Sequence, residues 1–462
     1  MFKIHTRACE PSLEERNSIP QPVIIPRPDH CISRANISPN ALKVMYRLRE
    51  AGHRACLVGG GVRDLLLGRE PKDFDIATDA LPEQVYALFR NCRLIGRRFR
   101  LAHVQFGREI IEVATFRACG DIGDEADGPT VERAKNGRIL SDNVYGDIED
   151  DAWRRDFTVN ALYYDITNFA VLDYVGGMAD LSNGLIRLIG DPIERYHEDP
   201  VRMLRAVRFA AKLGFQIDPA TAAPLRQLGH LLEQIPPARL HDEILKLFMS
   251  GSAIQTFELL RHYRLFGWLF PETERCLNRQ KHHYPKVLLV RALANTDQRL
   301  TEGKPVHPAF LFAALLWEPF QERLQQLEVE ALDESEAQQD AAEMVIQAQV
   351  RHAALPRRHS LPMREIWEMQ QRLTCRTGKR PFRLLSHPRF RAAYDFLVLR
   401  AEADESAQEL ADWWTRFLAA DESGRGRMTQ PTAQAKKSKS RRRRKPRSAR
   451  GGTQTVPPVP ET

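Results

Sequence analysis

The feature that most restricts how this chain can fold is a Gly-rich turn followed closely by paired carboxylates. Residues 54–58 (RACLV) read as a strand, Gly59, Gly60 and Gly61 follow, and VRDLLLG then reads as a short helix. Residues 73–77 (DFDIA) alternate and read as a second strand. Glycines lack Cβ atoms, so backbone N–H groups there can approach a polyphosphate, and a helix opening at that point favours an anion. Arg63 offers a fork of donors to a phosphate. Side chains alternate along a strand, so Asp73 and Asp75 share one face. Two adjacent like charges are costly unless a cation neutralises them. Carboxylate oxygens suit a hard ion such as Mg²⁺ (or Mn²⁺) that keeps phosphate oxygens among its ligands. Two such ions would activate an attacking 3′-hydroxyl and stabilise a leaving pyrophosphate. Each piece alone has a plainer reading: a solvated edge strand, or a tight turn with Asp64 as a local helix-terminus charge. The joint spacing is far more restrictive than either piece.

Around this motif the chain divides into an α/β head, a mainly α-helical body and a basic tail. Residues 1–36 are Pro-rich without periodicity and read as a flexible arm. Ser38 and Pro39 start a helix that Gly52 ends. Residues 82–90 read as a helix, and 103–106 and 110–116 as strands joined in a hairpin through Gly107. Residues 118–147 read as a loop, and from about 148 to 420 the pattern is largely helical. The predicted units are a head over 37–175, a helical neck over 176–270, a body over 271–423 and a disordered tail over 424–462. The tail matters for charge. The chain carries +8, but residues 424–462 hold twelve Lys/Arg and one acidic residue, which leaves the remainder at −3. Basic character therefore sits in one segment. The seven cysteines are scattered with no CxxC spacing, which predicts reduced thiols and no Cys zinc site. No apolar run suits a membrane span and the first residues lack a signal-peptide core, so a cytoplasmic protein without a membrane partner is expected.

The segments LVGGGVRDLLLG (57–68), KDFDIAT (72–78), IEVATFR (111–117), RRDFTVNAL (154–162) and EDPVRMLRAVRFAAKLG (198–214) resemble the polymerase-beta type nucleotidyltransferase superfamily. They are similar to its class II branch, which holds bacterial poly(A) polymerases and CCA-adding enzymes. The resemblance is strong over about 40–250 and looser to about 420. It implies a mixed-sheet nucleotidyltransferase head, ATP as substrate, RNA 3′ ends as acceptor and catalytic metals on Asp73 and Asp75. It implies that Asp156 is the third acidic residue of the site or a reader of the ribose. Glu112, on a strand expected near the DxD strand, is a rival for that place, and the sequence leaves the choice open. Arg154 and Arg155 would contact phosphates or ribose, unless they form a solvated helix face.

Residues 199–213 read as one helix, with Leu204, Val207 and Ala211 facing the core. Asp199 and Arg202, three apart, share another face. They offer an acceptor and several donors, which is what reading a base edge without a template requires; the resemblance assigns them that role, and an intrahelical ion pair is the plainer alternative. The segment at 94–103 (LIGRRFRLAH) and the stretch at 387–396 (HPRFRAAYDF) resemble the poly(A) polymerase group, although the second is also an ordinary amphipathic helix with Phe390, Ala393 and Phe396 as core. The tail suits an enzyme that grips many RNAs by counterion release. The expectation is template-independent addition of AMP to RNA 3′ ends, promoting RNA processing or decay in company with RNA-decay machinery. The alternatives are a CCA-adding enzyme and, lower, a non-catalytic RNA-binding protein; both DxD aspartates are present, which disfavours the last.

Overall fold

The computed structural model describes residues 21–96, 100–118, 132–133, 139–141, 144–279, 284–329 and 333–430. Most of the segment 118–147, Arg97–Phe99 within the 94–103 segment, and the tail from residue 431 lie outside the described residues.

The head is built on an eight-stranded mixed sheet. In chain order the strands are β1 (Val23–Ile25), β2 (Ala55–Val58), β3 (Asp75–Thr78), β4 (Cys92–Ile95), β5 (Leu101–Phe106), β6 (Glu109–Thr115), then β7 (Glu132–Arg133) and β8 (Ile139–Ser141) as a separate ribbon, and β9 (Leu162–Asp165) and β10 (Val171–Asp173). Their spatial order is β1-β10-β9-β2-β3-β6-β5-β4. Only β3 and β6 run parallel within it; every other pair is antiparallel. The hairpin through Gly107 forms as expected, with that glycine at φ 62.

Strand β2 shows why the sheet is buried on both faces. Leu57 packs into the main core with Ile76, Ile111 and Val113 and with Val44 and Leu48 of helix α1 (Pro39–Glu50). Cys56 and Val58 point the other way, against Ala77, Tyr163, Ile148 and Ala152. A run buried on both faces reads as continuously apolar. Helix α1 starts where Ser38 Oγ accepts from Asn40 N and Pro39 fills the first turn. Helices α2 (Gly60–Leu66), α3 (Pro82–Leu88), α4 (Ile148–Arg154), α5 (Gly177–Asn183), α6 (Pro192–Glu198) and α7 (Val201–Leu213) follow, and helices dominate beyond them. The main core continues from the sheet through α7 to Trp367 and Leu399 of the body. A second core gathers around Trp414, Phe390 and Phe417.

Several expectations change. Residues 23–36 are not a free arm: β1 pairs with β10, and Ile32 is buried in the head core. The helical run that starts at Ile148 with α4 is interrupted, because β9 and β10 are strands inside the sheet. Their short apolar runs carry no period that separates strand from buried helix. The strand at 73–77 begins only at Asp75. The helix read over 199–213 starts only at Val201: the preceding helix α6 ends at Glu198, and Asp199 and Pro200 form the junction between it and α7. Pro favours a helix's first turn and opposes its interior. Ala211 is only half-buried, and Met203, Ala206 and Ala210 join Leu204 and Val207 on a wider core face. Residues 424–430 are not tail: Glu422–Met428 is a helix capped by Asp421, and Met428 packs against the second core.

Candidate active site

Sheet topology places the carboxylates. The parallel register of β3 and β6 sets Asp75 beside Glu112. Both lie on the sheet face that carries Val58 and Ala77, toward α4. Asp73 sits just before β3 and lines the same cleft. Burial, then the charge of Glu112, pushes the Asp75 carboxyl up to about 6, against the pull of Arg155. The Gly-rich turn comes close to this point. Gly59 has φ +74, and a Cβ there would stand 3.6 Å from Arg155 Nη1 and 3.9 Å from Asp75 Oδ2. Gly61 has no such conformational need; its missing Cβ lets Asp73 O approach, at 3.4 Å from where that atom would be.

Two hollows meet at these carboxylates. The smaller, about 320 Å³, is lined by Arg154, Arg155, Arg195, Asp199 and Arg202 together with Asp75 and Glu112. The wider, about 930 Å³, is lined by Gly59, Gly60, Asp73 and Arg208 together with the same two carboxylates. Arg155 borders both.

The cations are held by specific bonds. Arg155 donates from Nε to Tyr163 Oη at 2.8 Å and from Nη2 to Asp151 Oδ2 at 2.9 Å, and Tyr163 donates to Asp151 at 2.6 Å. Burial alone would lower the Arg155 pKa, but Tyr163 and Asp151 raise it, so the guanidinium stays charged. Arg154 Nη1 donates to Ala118 O at 2.6 Å. Arg195 Nη2 donates to the carbonyls of Arg154 and Arg155, each at 2.7 Å, and so fastens α6 to the end of α4.

Three sequence-derived roles meet a different geometry. The Arg63 fork is not turned free toward the cleft. It donates from Nε and Nη2 to Asp64 Oδ1 at 2.9 and 2.6 Å, and from Nη1 to Asn160 Oδ1 at 2.6 Å. Asp156 is bound up as well. Its Oδ1 accepts from Phe157 N at 2.8 Å and Asn160 Nδ2 at 3.1 Å, and its Oδ2 from Arg205 Nε at 2.7 Å. Burial would raise its pKa, but Arg205 and Asn160 bring it down to about 2. Asp156 thus closes a polar chain running from Asp64 through Arg63 and Asn160 to Arg205. Third, Asp199 and Arg202 do not share a helix face. Asp199 follows α6, where its Oδ2 accepts from Arg239 Nη2 at 2.6 Å and its Oδ1 from Val201 N at 3.3 Å. Arg202 Nη1 donates to Glu198 Oε2 at 2.7 Å and Arg195 O at 2.8 Å. Both still border the smaller hollow.

Sequence reasoning missed Arg195, Arg205, Arg208 and Arg239. A signal existed for two of them: Arg202, Arg205 and Arg208 recur every third residue on α7, which makes a stripe along one side of a helix. Arg239 comes from the helix Pro237–Phe248, and no local pattern ties it to Asp199.

No group of three or more His, Cys, Asp or Glu side chains stands ready to hold a metal ion among the described residues. The donor chemistry nevertheless fits one. Asp75 and Glu112 are like charges forced together, and burial, then the charge of Glu112, raises the Asp75 carboxyl, which a bound cation would relieve. His103 Nε2 lies 3.2 Å from Glu112 Oε1 without the alignment of a hydrogen bond.

The chain matches three family models: "Poly A polymerase head domain" over residues 55–187, "Probable RNA and SrmB- binding site of polymerase A" over 214–277, and "Polymerase A arginine-rich C-terminus" over 330–448. It is 53% identical over 411 residues to the Poly(A) polymerase I of Escherichia coli O157:H7, covering 88% of each protein. It is 48% identical over 389 residues to the Poly(A) polymerase I of Haemophilus influenzae, covering 84% of this chain and 86% of that protein. The CCA-adding enzyme of Lactobacillus helveticus is 36% identical over 219 residues, 47% of this chain and 52% of that enzyme. Among solved structures, the Bacillus stearothermophilus CCA-adding enzyme in complex with CTP superposes with a TM-score of 0.52 at 25% identity, covering 82% of each chain. A tRNA nucleotidyltransferase complexed with a primer tRNA and an incoming ATP analog gives a TM-score of 0.55 at 24% identity, covering 81% of this chain and 98% of that one, and shows the shared fold.

Proposed function

This chain belongs to the bacterial poly(A) polymerase family, and from that premise we propose that it transfers adenylate from ATP to RNA 3′ ends without a template, releasing pyrophosphate. The observation that carries the reading is the pair of hollows meeting at Asp75 and Glu112. One hollow carries an acceptor and donors of the kind that read a base edge. The other carries the Gly turn and cations suited to phosphates.

Asp73, Asp75 and Glu112 would hold a divalent cation, Mg²⁺ or Mn²⁺. When bound, it supplies Lewis acidity at the α-phosphate and a more acidic 3′-hydroxyl. Glu112 is preferred over Asp156 as the third carboxylate. Its register neighbour is Asp75, whereas both Asp156 oxygens are already occupied. The chain's own residues do the rest. Arg155, kept charged by Asp151 and Tyr163, faces the transferred phosphate between the hollows. Asp199 and Arg202 orient the base, and the smaller hollow limits its size. Fixing both substrates at one point replaces a bimolecular encounter, and positioned charges stabilise what develops in the transition state.

A tail of adenylates is an unstructured extension, so the proposed cellular role is in RNA processing and decay, with RNA-decay machinery downstream. The proposed compartment is the cytoplasm. No described helix is long and apolar enough to cross a membrane.

Incubation with each single NTP tests the reading, using a generic RNA and a tRNA lacking its 3′ end. Long products with ATP on both RNAs and little product with CTP are expected. If only the tRNA is extended, by C then A and then stopping, the chain is a CCA-adding enzyme and the reading falls.

A further inference from the structure

The register that sets Asp75 beside Glu112 continues to the edge of the sheet. On β5, His103 is the cross-strand partner of Glu112, and on β4 Arg93 is the partner of His103. Paired residues of neighbouring strands share a face, so Arg93, His103, Glu112 and Asp75 form one row across the sheet. That row runs along the cleft. Leu101, two residues before His103, borders the smaller hollow, and His103 borders the wider one beside Asp73, Asp75 and Glu112.

Two observations give His103 a task. Its Nε2 is buried, 3.2 Å from Glu112 Oε1, and out of line for a hydrogen bond. A buried polar atom left unpaired costs stability, so a side chain that served only to pack would better be apolar. The second observation is Glu112 itself. Its side chain is 47% exposed, and among the described residues no hydrogen bond fixes its carboxylate. Free side-chain torsions and the like charge of Asp75 both favour a carboxylate that swings away, which weakens any cation the two would share.

Resting on the adenylyl-transfer reading, with Glu112 as the third carboxylate, we propose that His103 is a positioning residue. Its Nε2–H donates to Glu112 Oε1 and fixes that carboxylate beside Asp75 for a divalent cation. A rotation of the imidazole or the carboxylate brings the two atoms into line, and such bonds are often loose in an unliganded site and tighten in the complex. A carboxylate oriented by a donor binds its metal more tightly, because the orientation is set before the ion arrives. His103 itself touches neither ion nor nucleotide.

The test compares wild type with His103→Leu, which removes the donor, and His103→Gln, which keeps an N–H on a side chain of similar reach. It reads binding of Mn²⁺ alone by electron paramagnetic resonance, the Mg²⁺ dependence of adenylate incorporation, the KM for ATP and for RNA at saturating Mg²⁺, and a thermal melt. His103→Leu should weaken Mn²⁺ binding and raise the Mg²⁺ requirement about tenfold. Both KM values at saturating Mg²⁺ should stay within about twofold, because no substrate contact is lost. The melting temperature without metal should match or exceed wild type, because an unpaired buried nitrogen is gone. His103→Gln should recover Mn²⁺ affinity to within about threefold of wild type, which a packing role would not produce. In a Glu112→Gln background, His103→Leu should alter Mn²⁺ affinity by less than about twofold, because the carboxylate it acts through is gone. Wild-type Mn²⁺ affinity in His103→Leu overturns the proposal. So does a His103→Gln variant no better than His103→Leu, an additive loss in the double variant, or a change confined to either KM, which would place His103 on a substrate. If the wild-type protein incorporates no nucleotide, the adenylyl-transfer reading itself fails; the Mn²⁺ measurements still decide for or against His103.

Discussion

Asp75 and Asp156 are both acidic residues near the cleft, yet their surroundings push them in opposite directions. Burial, with the like charge of Glu112, raises Asp75; burial would raise Asp156 too, but Arg205 and Asn160 outweigh it and lower that carboxyl. Removing each should therefore have different consequences. Asp75→Asn is expected to reduce incorporation by several orders of magnitude, by analogy with other metal-dependent transfer, while the melting temperature holds or rises as the repulsion with Glu112 is relieved. Near-normal turnover would remove Asp75 from the site. Asp156→Asn leaves Arg205 without its counter-ion and should cost about 2 kcal/mol of stability. The acid dependence follows from the same bond. The Asp156 carboxyl goes from an ordinary 3.8 to about 2 on folding, so its contribution is fully present above 3.8 and disappears as pH falls through 2. Melting temperatures from pH 5 to pH 2 should fall less steeply for Asp156→Asn than for wild type. Parallel curves would mean that Asp156 titrates alike folded and unfolded.

At the scale of elements, what matters is how short segments are joined. The turn into α2 needs Gly59 at φ +74. Gly59→Ala would place a side chain in a left-handed conformation, costing about 1–2 kcal/mol, with its Cβ at an ordinary contact distance of 3.6 Å from Arg155 Nη1. Lower stability with a raised KM for ATP is expected, measured by melt and steady-state kinetics; an unchanged KM would separate the turn from nucleotide binding. A second junction lies in the body. His241 on the helix Pro237–Phe248 stacks on His359 of the helix Arg357–Leu373, with ring centres 5.3 Å apart. Burial, with His241 and Arg358 nearby, holds the His359 pKa down to about 4. The neutral form is the folded form. Stability from this site is complete above the ordinary 6.5 and is lost as pH falls from 6.5 toward 4, because the unfolded chain takes up the proton first. His359→Phe should therefore stabilise the protein at pH 5 relative to pH 7.5, on the order of 1 kcal/mol. An equal change at both pH values would show that His359 is not the group protonated on unfolding.

Across the whole molecule, one hydrophobic core joins the sheet, α7 and the body, so the two hollows are framed by elements packed as one unit. The basic charge lies elsewhere. Residues 431–462 contain ten Lys/Arg and one acidic residue, so a chain ending at Gln430 falls from +8 to −1. That truncation keeps the helix Glu422–Met428, which a cut after Ser423 would break. It is expected to bind RNA more weakly with a shallower salt dependence, because fewer counterions are released. Turnover at saturating RNA should be unchanged. An unaltered salt slope in a binding titration would exclude the tail as an RNA arm.

The sequence alone determined the local chemistry of this protein. The Gly turn, DxD, Arg154 and Arg155, and the 198–214 segment are contiguous motifs whose residue types and spacing state what they can bind. The core positions Phe390, Ala393 and Phe396 were legible for the same reason, since a helix face is written in local period. Tertiary structure alone decided everything that depends on distant partners. Glu112 became the neighbour of Asp75 through the parallel pairing of strands more than thirty residues apart. Asp156 and Arg63 still line the wider hollow, but Arg205 engages the first, Asp64 and Asn160 the second, and Asp199 is held by Arg239 across forty residues. Local sequence fixes which groups a segment carries. Which of them remain available for a ligand depends on the charges that folding brings beside them.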